Sequence, residues 1–273
     1  MELSGRMRPK PARRSGVRRP AIAGSLLIAA ALTLSACAAE GPGAPVVEGT
    51  MEAPAQKEDP PMPQNEQTAP TDAERDAATA ALFEAVAAGD RGAAAAALDA
   101  GADLERRGEL GRTPLVAATK EERVEIAVLL LERGADPNAQ DDLEDSAFLY
   151  AGAEGLDEIL RATLERGADV ASTNRYGGTA LIPASEHGHV STVEILIAAG
   201  VPLDHVNNLG WTALHEAIVL GTGSEDHVSV VRALLEAGAD PTLPDGNGVA
   251  PRDLAVARGH WNLVGEIDRA LAG

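Results

Sequence analysis

Residues 207–217 read Asn-Asn-Leu-Gly-Trp-Thr-Ala-Leu-His-Glu-Ala, and the pattern of this stretch returns along the chain. A Thr or Ser that opens an apolar run stands at intervals of 33 residues: Thr113, Ser146, Thr179 and Thr212. Ala250 takes the same position once more, after a longer interval. Twelve residues before each of these lies a triplet like Gly134-Ala135-Asp136. A fixed period of this length indicates a stacked repeat architecture.

Each repeat encodes two helices joined by a turn. A Thr or Ser hydroxyl can cap the first helix, and Pro114 suits a first helical position. Gly188 can adopt the positive φ that ends such a helix. The run Val124–Leu130 gives the second helix an apolar face. One unit cannot bury this face alone, so we expect neighbours to stack. Aromatic residues make up only 2% of the chain, which predicts a core of small aliphatic side chains.

Several stretches resemble one known repeat family. Residues 113–118 (Thr-Pro-Leu-Val-Ala-Ala) and 212–217 resemble the ankyrin signature T-P-L-H-x-A. Residues 174–179 and 207–212 resemble the ankyrin hairpin, with a Gly two places before the Thr. The resemblance covers residues 72–273 and implies an all-α repeat solenoid. It implies about six repeats, each a helix-turn-helix with a β-hairpin loop.

Three departures from the repeat pattern lead to specific expectations. Glu121-Glu122-Arg123 replaces the Gly and His expected between two helices. Pro183 falls inside a first helix and is expected to strain its first turns. The segment Gly221–His227 contains five extra residues and is expected to lengthen the turn of its repeat. Such loops often bind, but a neutral extension stays equally open.

The N-terminal segment has the features of an export signal. Seven basic residues precede an apolar stretch, Ala21–Ala36, which is short for a membrane span. It ends in Leu34-Ser35-Ala36-Cys37, which resembles a bacterial lipobox and implies acylation of Cys37. An ordinary signal peptide or an uncleaved anchor is the alternative. The expected domains are a signal peptide (1–36), a tether (37–71) and a repeat domain (72–273).

The tether and the single cysteine complete this expectation about location. Residues 38–70 contain seven prolines among Ala, Glu and Gln, a composition that cannot bury a core. Cys37 is the only cysteine, so the repeat domain forms no internal disulfide. We therefore expect an exported protein, lipid-anchored to a bacterial membrane and facing the periplasm or the cell surface. The lipid anchor is its only expected membrane contact.

Charge restricts the expected partners. The whole chain carries −19, but the segment before Cys37 holds seven basic residues and one acidic residue. The remaining chain has 16 basic and 41 acidic residues, a net charge of −25. Such a surface repels phosphate backbones, so nucleic acid binding is not expected. A basic protein partner would be attracted, although the acidity serves solubility equally well.

No pattern in the sequence predicts catalysis, a cofactor or a metal site. The chain contains none of the usual nucleophile, zinc-protease or phosphate-loop motifs. The ankyrin resemblance implies structural hydrogen bonds for four histidines: His187, His189, His215 and His260. His205 and His227 are expected to be exposed in loops. The acidic stretches 141–145 and 245–248 lack the ligand set of a calcium loop.

The resemblance also implies which residues recognise a partner, because ankyrin proteins bind with hairpin tips and inner helices. The candidates are Glu109, Arg112, Asp142, Asp145, Tyr150, Arg175, Tyr176, Asn208 and Trp211. Trp211 is the preferred outward anchor, with packing against the next hairpin as its alternative. Trp261 is expected in the core or the terminal cap.

The sequence thus predicts a non-catalytic, monomeric module that binds another protein. Two narrower roles stay open. One is an immunity or inhibitor protein that neutralises a toxic effector enzyme. The other is an envelope scaffold that stabilises an enzyme.

Overall fold

The computed structural model describes residues 69–273, so the expected signal peptide, Cys37 and most of the tether lie outside the described residues. Within 69–273, twelve α-helices follow one another. They are α1 (Asp72–Ala88), α2 (Arg91–Asp99), α3 (Pro114–Lys120), α4 (Val124–Glu132), α5 (Ala147–Glu154), α6 (Asp157–Glu165), α7 (Leu181–His187), α8 (Val190–Ala198), α9 (Ala213–Val219), α10 (Glu225–Glu236), α11 (Pro251–Arg258) and α12 (Trp261–Ala272). A 3₁₀ turn, Glu109–Gly111, precedes α3.

The helices form two layers. Odd-numbered helices pack on one another along the array, even-numbered helices do the same, and each pair is antiparallel across a short turn. A single cluster of buried Ala, Val, Leu and Ile side chains, with Phe148, runs through all the pairs. Each pair therefore shares its core with its neighbours, as in other solenoids. The expected all-α repeat solenoid with a small-residue core is confirmed.

Side-chain caps start most of the first helices. The hydroxyls of Thr113, Ser146 and Thr212 accept hydrogen bonds from the backbone N–H three residues on, at 3.1–3.4 Å. Thr71 and Glu74 form the reciprocal capping box expected for α1. These caps satisfy N–H groups that have no partner inside the helix.

Thr179 does not cap α7, contrary to its place in the repeat. Pro183 has no N–H to donate to the Thr179 carbonyl, a bond that Ala117 makes to Thr113. The Ile182 N–H donates a hydrogen bond to the Thr179 carbonyl instead, at 3.1 Å. The Thr179 hydroxyl is buried without a hydrogen-bond partner in residues 69–273. The helix consequently begins at Leu181. The expected disturbance by Pro183 is confirmed.

A residue with positive φ ends several first helices. Gly155, Gly188 and Gly259 have φ values of 73–74°. In the second repeat Glu122 takes this conformation, with φ 54°, and its N–H bonds to the Thr119 carbonyl as the N–H of Gly188 bonds to Ser185. A side chain in this region is strained, because its Cβ approaches the backbone carbonyl oxygen.

The loops between repeats are tight turns, and no residue from 69 to 273 lies in a β-strand. The expected β-hairpin loops are therefore turns without paired strands in the described residues. In the fourth of these loops, between α8 and α9, the Asn207 N–H donates to the Trp211 carbonyl at 2.9 Å. The Asn207 Oδ1 atom accepts from Leu209 and Trp211 N–H groups at 2.9 and 3.0 Å. Asp141, Asn174 and Asp245 make the same set of bonds.

The five extra residues of repeat five divide between turn and helix. Helix α9 ends at Val219, and α10 begins at Glu225 and is 12 residues long, against 9 in α8. The expectation of a longer turn is thus only partly right, because the second helix also gains one turn. His227 lies in that added turn and is buried, so its expected exposure is wrong.

None of the twelve helices in the described part of the chain combines the length and hydrophobicity that a membrane span requires. The apolar stretch Ala21–Ala36 lies outside that part.

Candidate binding surface

The turns between repeats and the odd-numbered helices face a common groove. One stretch of this groove is lined by the turns at 174–178 and 207–209 together with side chains of α7 and α9. The even-numbered helices form the opposite layer. Side chains from turns and helices of adjacent repeats therefore meet in the groove, although they are far apart in sequence.

At the second and third repeats, a buried lysine side chain contacts two carboxylates and an aromatic ring that line the groove. Lys120 Nζ lies 2.9 Å from Asp141 Oδ2 and 2.8 Å from Asp145 Oδ2. It also lies 5.0 Å from the centre of the Tyr150 ring. Burial by itself would raise the pKa of Asp141, but Lys120 and the turn N–H groups outweigh it and hold that pKa below its usual value. The charges of Asp141 and Asp145 are thus compensated from within the fold.

The ion pairs continue into the next turn. Arg175 lies 3.5 Å from the same Asp145 carboxylate. Its guanidinium lies 4.6 Å from the centre of the Tyr176 ring, an arrangement that favours a cation–π interaction. Four of the candidates, Asp145, Tyr150, Arg175 and Tyr176, therefore lie in one connected network.

The remaining candidates are less closely linked. Glu109, Asp142 and Asn208 are exposed at the tips of three turns, and Arg112 is half-buried with its Nε 3.7 Å from Asp141. Trp211 is half-buried, and its indole N–H is buried with no hydrogen-bond partner in residues 69–273. Trp261, expected in the core or cap, is 67% exposed. Trp261 is therefore not in the core, but it does lie in the terminal helix pair, where no further repeat covers the outer side of α12.

A ladder of exposed apolar side chains runs along the turn tips. It consists of Leu110, Leu143, Tyr176 and Leu209, which we call the tip ladder. The exposed fractions are 48%, 40%, 56% and 61%, and each residue follows the previous one by 33 positions. Backbone hydrogen bonds join neighbouring tips, from Asp142 N–H to Leu110 and from Asn208 N–H to Tyr176. Sequence reasoning selected only Tyr176 from this ladder, although the repeated apolar residue at a turn tip was a usable signal.

A second polar cluster lies further along the groove. Glu216 of α9 is only 4% exposed, and its Oε1 atom accepts a 2.8 Å hydrogen bond from Asn207 Nδ2. Its Oε2 atom is buried without a partner in residues 69–273. Burial, followed by the charge of Glu186, raises the pKa of Glu216 to about 7. Sequence reasoning did not select Glu216.

Four histidines make side-chain hydrogen bonds within the fold: His187, His205, His215 and His227. The hydrogen bonds expected for His189 and His260 are not found in residues 69–273, and the Nδ1 atom of His260 is buried without a partner. His227 Nε2 donates to the Glu186 carbonyl at 2.9 Å, and its Nδ1 atom lies 2.9 Å from the Ser224 hydroxyl. His205 is half-buried rather than exposed as expected, because it donates to the Gly177 carbonyl at 2.7 Å. His187 donates to the carbonyl of Ala153 at 2.8 Å. Residues 69–273 contain no group of three or more His, Cys, Asp or Glu side chains placed to hold a metal ion.

Comparison with solved structures identifies the repeat. The crystal structure of an ankyrin repeat domain from Acinetobacter baumannii AYE is 49% identical in sequence, with a TM-score of 0.67. The match covers 69% of this chain and 96% of that domain. The chain belongs to the ankyrin-repeat family. A second ankyrin repeat protein of known structure is 37% identical, with a TM-score of 0.67 over 70% of this chain and 98% of that one.

Family models agree with this assignment to the ankyrin repeats. A model of three ankyrin repeats matches residues 148–245, and a single-repeat model matches residues 110–142. A comparison with curated protein sequences gives no significant match. An ankyrin-repeat domain is typically a non-catalytic scaffold for protein interaction, and nothing in the comparisons indicates enzymatic activity.

Proposed function

We propose that this ankyrin-repeat protein is lipid-anchored in a bacterial envelope and binds a basic protein through its turn tips and groove. The tip ladder is the observation that carries the proposal. Large apolar side chains that line up on a surface usually mark an interaction site, whereas isolated ones need no explanation. Four such residues occupy the same position on adjacent turns, and backbone hydrogen bonds join the tips in two of the three neighbouring pairs.

Charge supports a basic partner. The chain after residue 36 has a net charge of −25, so a basic protein is attracted over a long range and an acidic one is repelled. The tip ladder then supplies apolar contact at close range. The lipobox-like Leu34–Cys37 and the Pro-rich segment that follows support anchoring at a membrane.

The test is affinity capture from envelope extracts with the wild-type chain and with the double variant Tyr176→Ser/Leu209→Ser. We expect the wild type to retain a basic protein in stoichiometric amount and the double variant to lose it. The two tips are more than half exposed, so the helical signal and the melting temperature should change little. Trp261→Ser is the matched control, because Trp261 is equally exposed but lies on the terminal helix. If the double variant retained the basic protein as well as Trp261→Ser and the wild type do, the tip ladder would not be part of the interface.

Among narrower roles, an immunity or inhibitor function predicts that the captured protein is a toxic enzyme whose activity is blocked in the complex. A scaffold function predicts an enzyme that stays active and becomes more stable. An activity assay on the captured protein separates the two.

A further inference from the structure

A cleft in the groove of the fourth and fifth repeats has the form of a side-chain pocket. It encloses about 200 Å³, below the roughly 300–1,000 Å³ of small-molecule sites. Its walls are apolar, from Ile182, Pro183, Leu209 and Leu220. The carboxyl groups of the same lining come from Glu186 and Glu216.

The cluster around Lys120 lies at the equivalent repeat positions, 66 residues earlier in the sequence. It shows which side chains the groove contains where its carboxyl groups are paired with a cation of the same chain. In that cluster Asp141 lies at the turn, Tyr150 on the following helix and Lys120 on the preceding helix. In the cleft the corresponding residues are Asn207, Glu216 and Glu186. The earlier position therefore contains its own lysine, whereas an acidic residue stands at the lysine position of the cleft.

The cleft lacks any internal cation to compensate its carboxyl groups. In residues 69–273 neither Glu186 nor Glu216 lies within 4.0 Å of a Lys, Arg or His nitrogen, and the only hydrogen-bond donor to the Glu216 carboxyl is Asn207. A buried carboxylate oxygen without a partner is costly, and a cationic donor is the group that relieves it most.

We propose that this cleft takes one lysine or arginine side chain of the protein partner. The aliphatic stem lies against Ile182, Pro183 and Leu209, and the cationic head reaches Glu216 Oε2 between Glu216 and Glu186. Long basic side chains bury their stems on apolar surface in this way. The inference rests on the proposed function, since it names the part of the partner that enters the groove.

The test uses the full-length chain and blocked tripeptides, Ac-Ala-Arg-Ala-NH₂ and Ac-Ala-Lys-Ala-NH₂, with the citrulline and norleucine peptides as neutral controls. Methyl resonances of Ile182, Leu209 and Leu220 report occupancy by NMR. We expect the cationic peptides to shift these methyls and the neutral peptides to bind at least about fivefold more weakly. Glu216→Gln should reduce cationic binding by a similar factor. Glu194→Gln removes the same charge from the exposed face of α8 and should leave binding unchanged.

Three results would overturn the proposal. The first is equal binding of charged and neutral peptides, and the second is the absence of methyl shifts at about 20 mM peptide. The third is dimerisation of the wild-type chain that Glu216→Gln abolishes, because the side chain would then come from a second copy. A partner captured through the tip ladder but bound equally by Glu216→Gln would leave the proposed function standing and remove only this subsite.

Discussion

Two carboxyl groups in the groove show how neighbours decide the charge of a residue. Asp141 and Glu216 are both buried, which favours their neutral forms. Lys120 and turn N–H groups nevertheless lower the pKa of Asp141. Glu216 has one amide donor and a second carboxyl group nearby, so its pKa is raised to about 7. The first group is a charged part of the fold at neutral pH, whereas the second takes up a proton close to neutral pH.

The raised pKa of Glu216 predicts a dependence of stability on pH. The folded chain holds this proton more tightly than the unfolded chain, whose pKa is 4.5. The favourable contribution is therefore complete below pH 4.5 and is lost as the pH rises through about 7. The full loss is on the order of 3 kcal/mol. Thermal melts at pH 5 and pH 8 should show a smaller difference for Glu216→Gln than for the wild type.

His215 is buried with a lowered pKa, so its titration changes stability in the opposite sense. Because the wild type and Glu216→Gln both contain His215, the difference between them isolates the effect of Glu216. Glu194→Gln serves as the control, since Glu194 is exposed on α8. Identical pH dependence of the wild type and Glu216→Gln would contradict the raised pKa.

At the scale of the helix, the end of α3 is a strained version of a repeated feature. Glu122 has φ 54°, where the corresponding residues of other repeats are glycines. Glu122→Gly should stabilise the fold by roughly 1 kcal/mol, because glycine adopts this conformation without a Cβ clash. The melting temperature should rise by about 2–4 °C for a domain of this size.

The neighbouring residue provides the control for that helix end. Glu121 carries the same charge but has φ −95°, so Glu121→Gly gains no relief of strain and loses chain entropy on folding. We expect its melting temperature to fall. A rise of equal size in both variants would assign the effect to the lost negative charge instead of the backbone.

Helices and their caps could be predicted from sequence where the signal is local. Thr113 and Thr212 cap their helices as their register predicts. Thr179 has the same register and fails, because the N–H missing at Pro183 changes which group bonds to its carbonyl. His227 was expected in an exposed loop, but it lies in the turn that lengthens α10 and is buried there. The sequence of the insertion did not show that part of it would extend the helix.

The candidate site was predictable only in part. The turn tips and their spacing follow from the period, so the exposed Glu109, Asp142 and Asn208 could be located. Leu209 was missed because the candidates at this turn were the positions on either side of it, Asn208 and Trp211. The state of Glu216 depends on a turn and on a preceding helix, which only the stacked structure brings together.

At the scale of the whole molecule, the proposed lipid anchor and the proposed binding surface lie in different parts of the sequence. The tip ladder and the cleft lie between residues 110 and 220, far from the lipobox-like segment at 34–37. Each property can therefore be removed without touching the other.

This separation makes the proposed lipid anchor testable without knowledge of the partner. Cys37→Ser replaces the only thiol of the chain with a hydroxyl, which is a far weaker nucleophile than a thiolate. We expect the variant to incorporate no palmitate and to accumulate with residues 1–36 still attached. Ser35→Ala keeps a small residue before Ala36-Cys37 and should be labelled like the wild type. The purified Cys37→Ser chain should still bind the partner, since the groove is unchanged. Normal labelling of this variant would exclude Cys37 as the lipid attachment site.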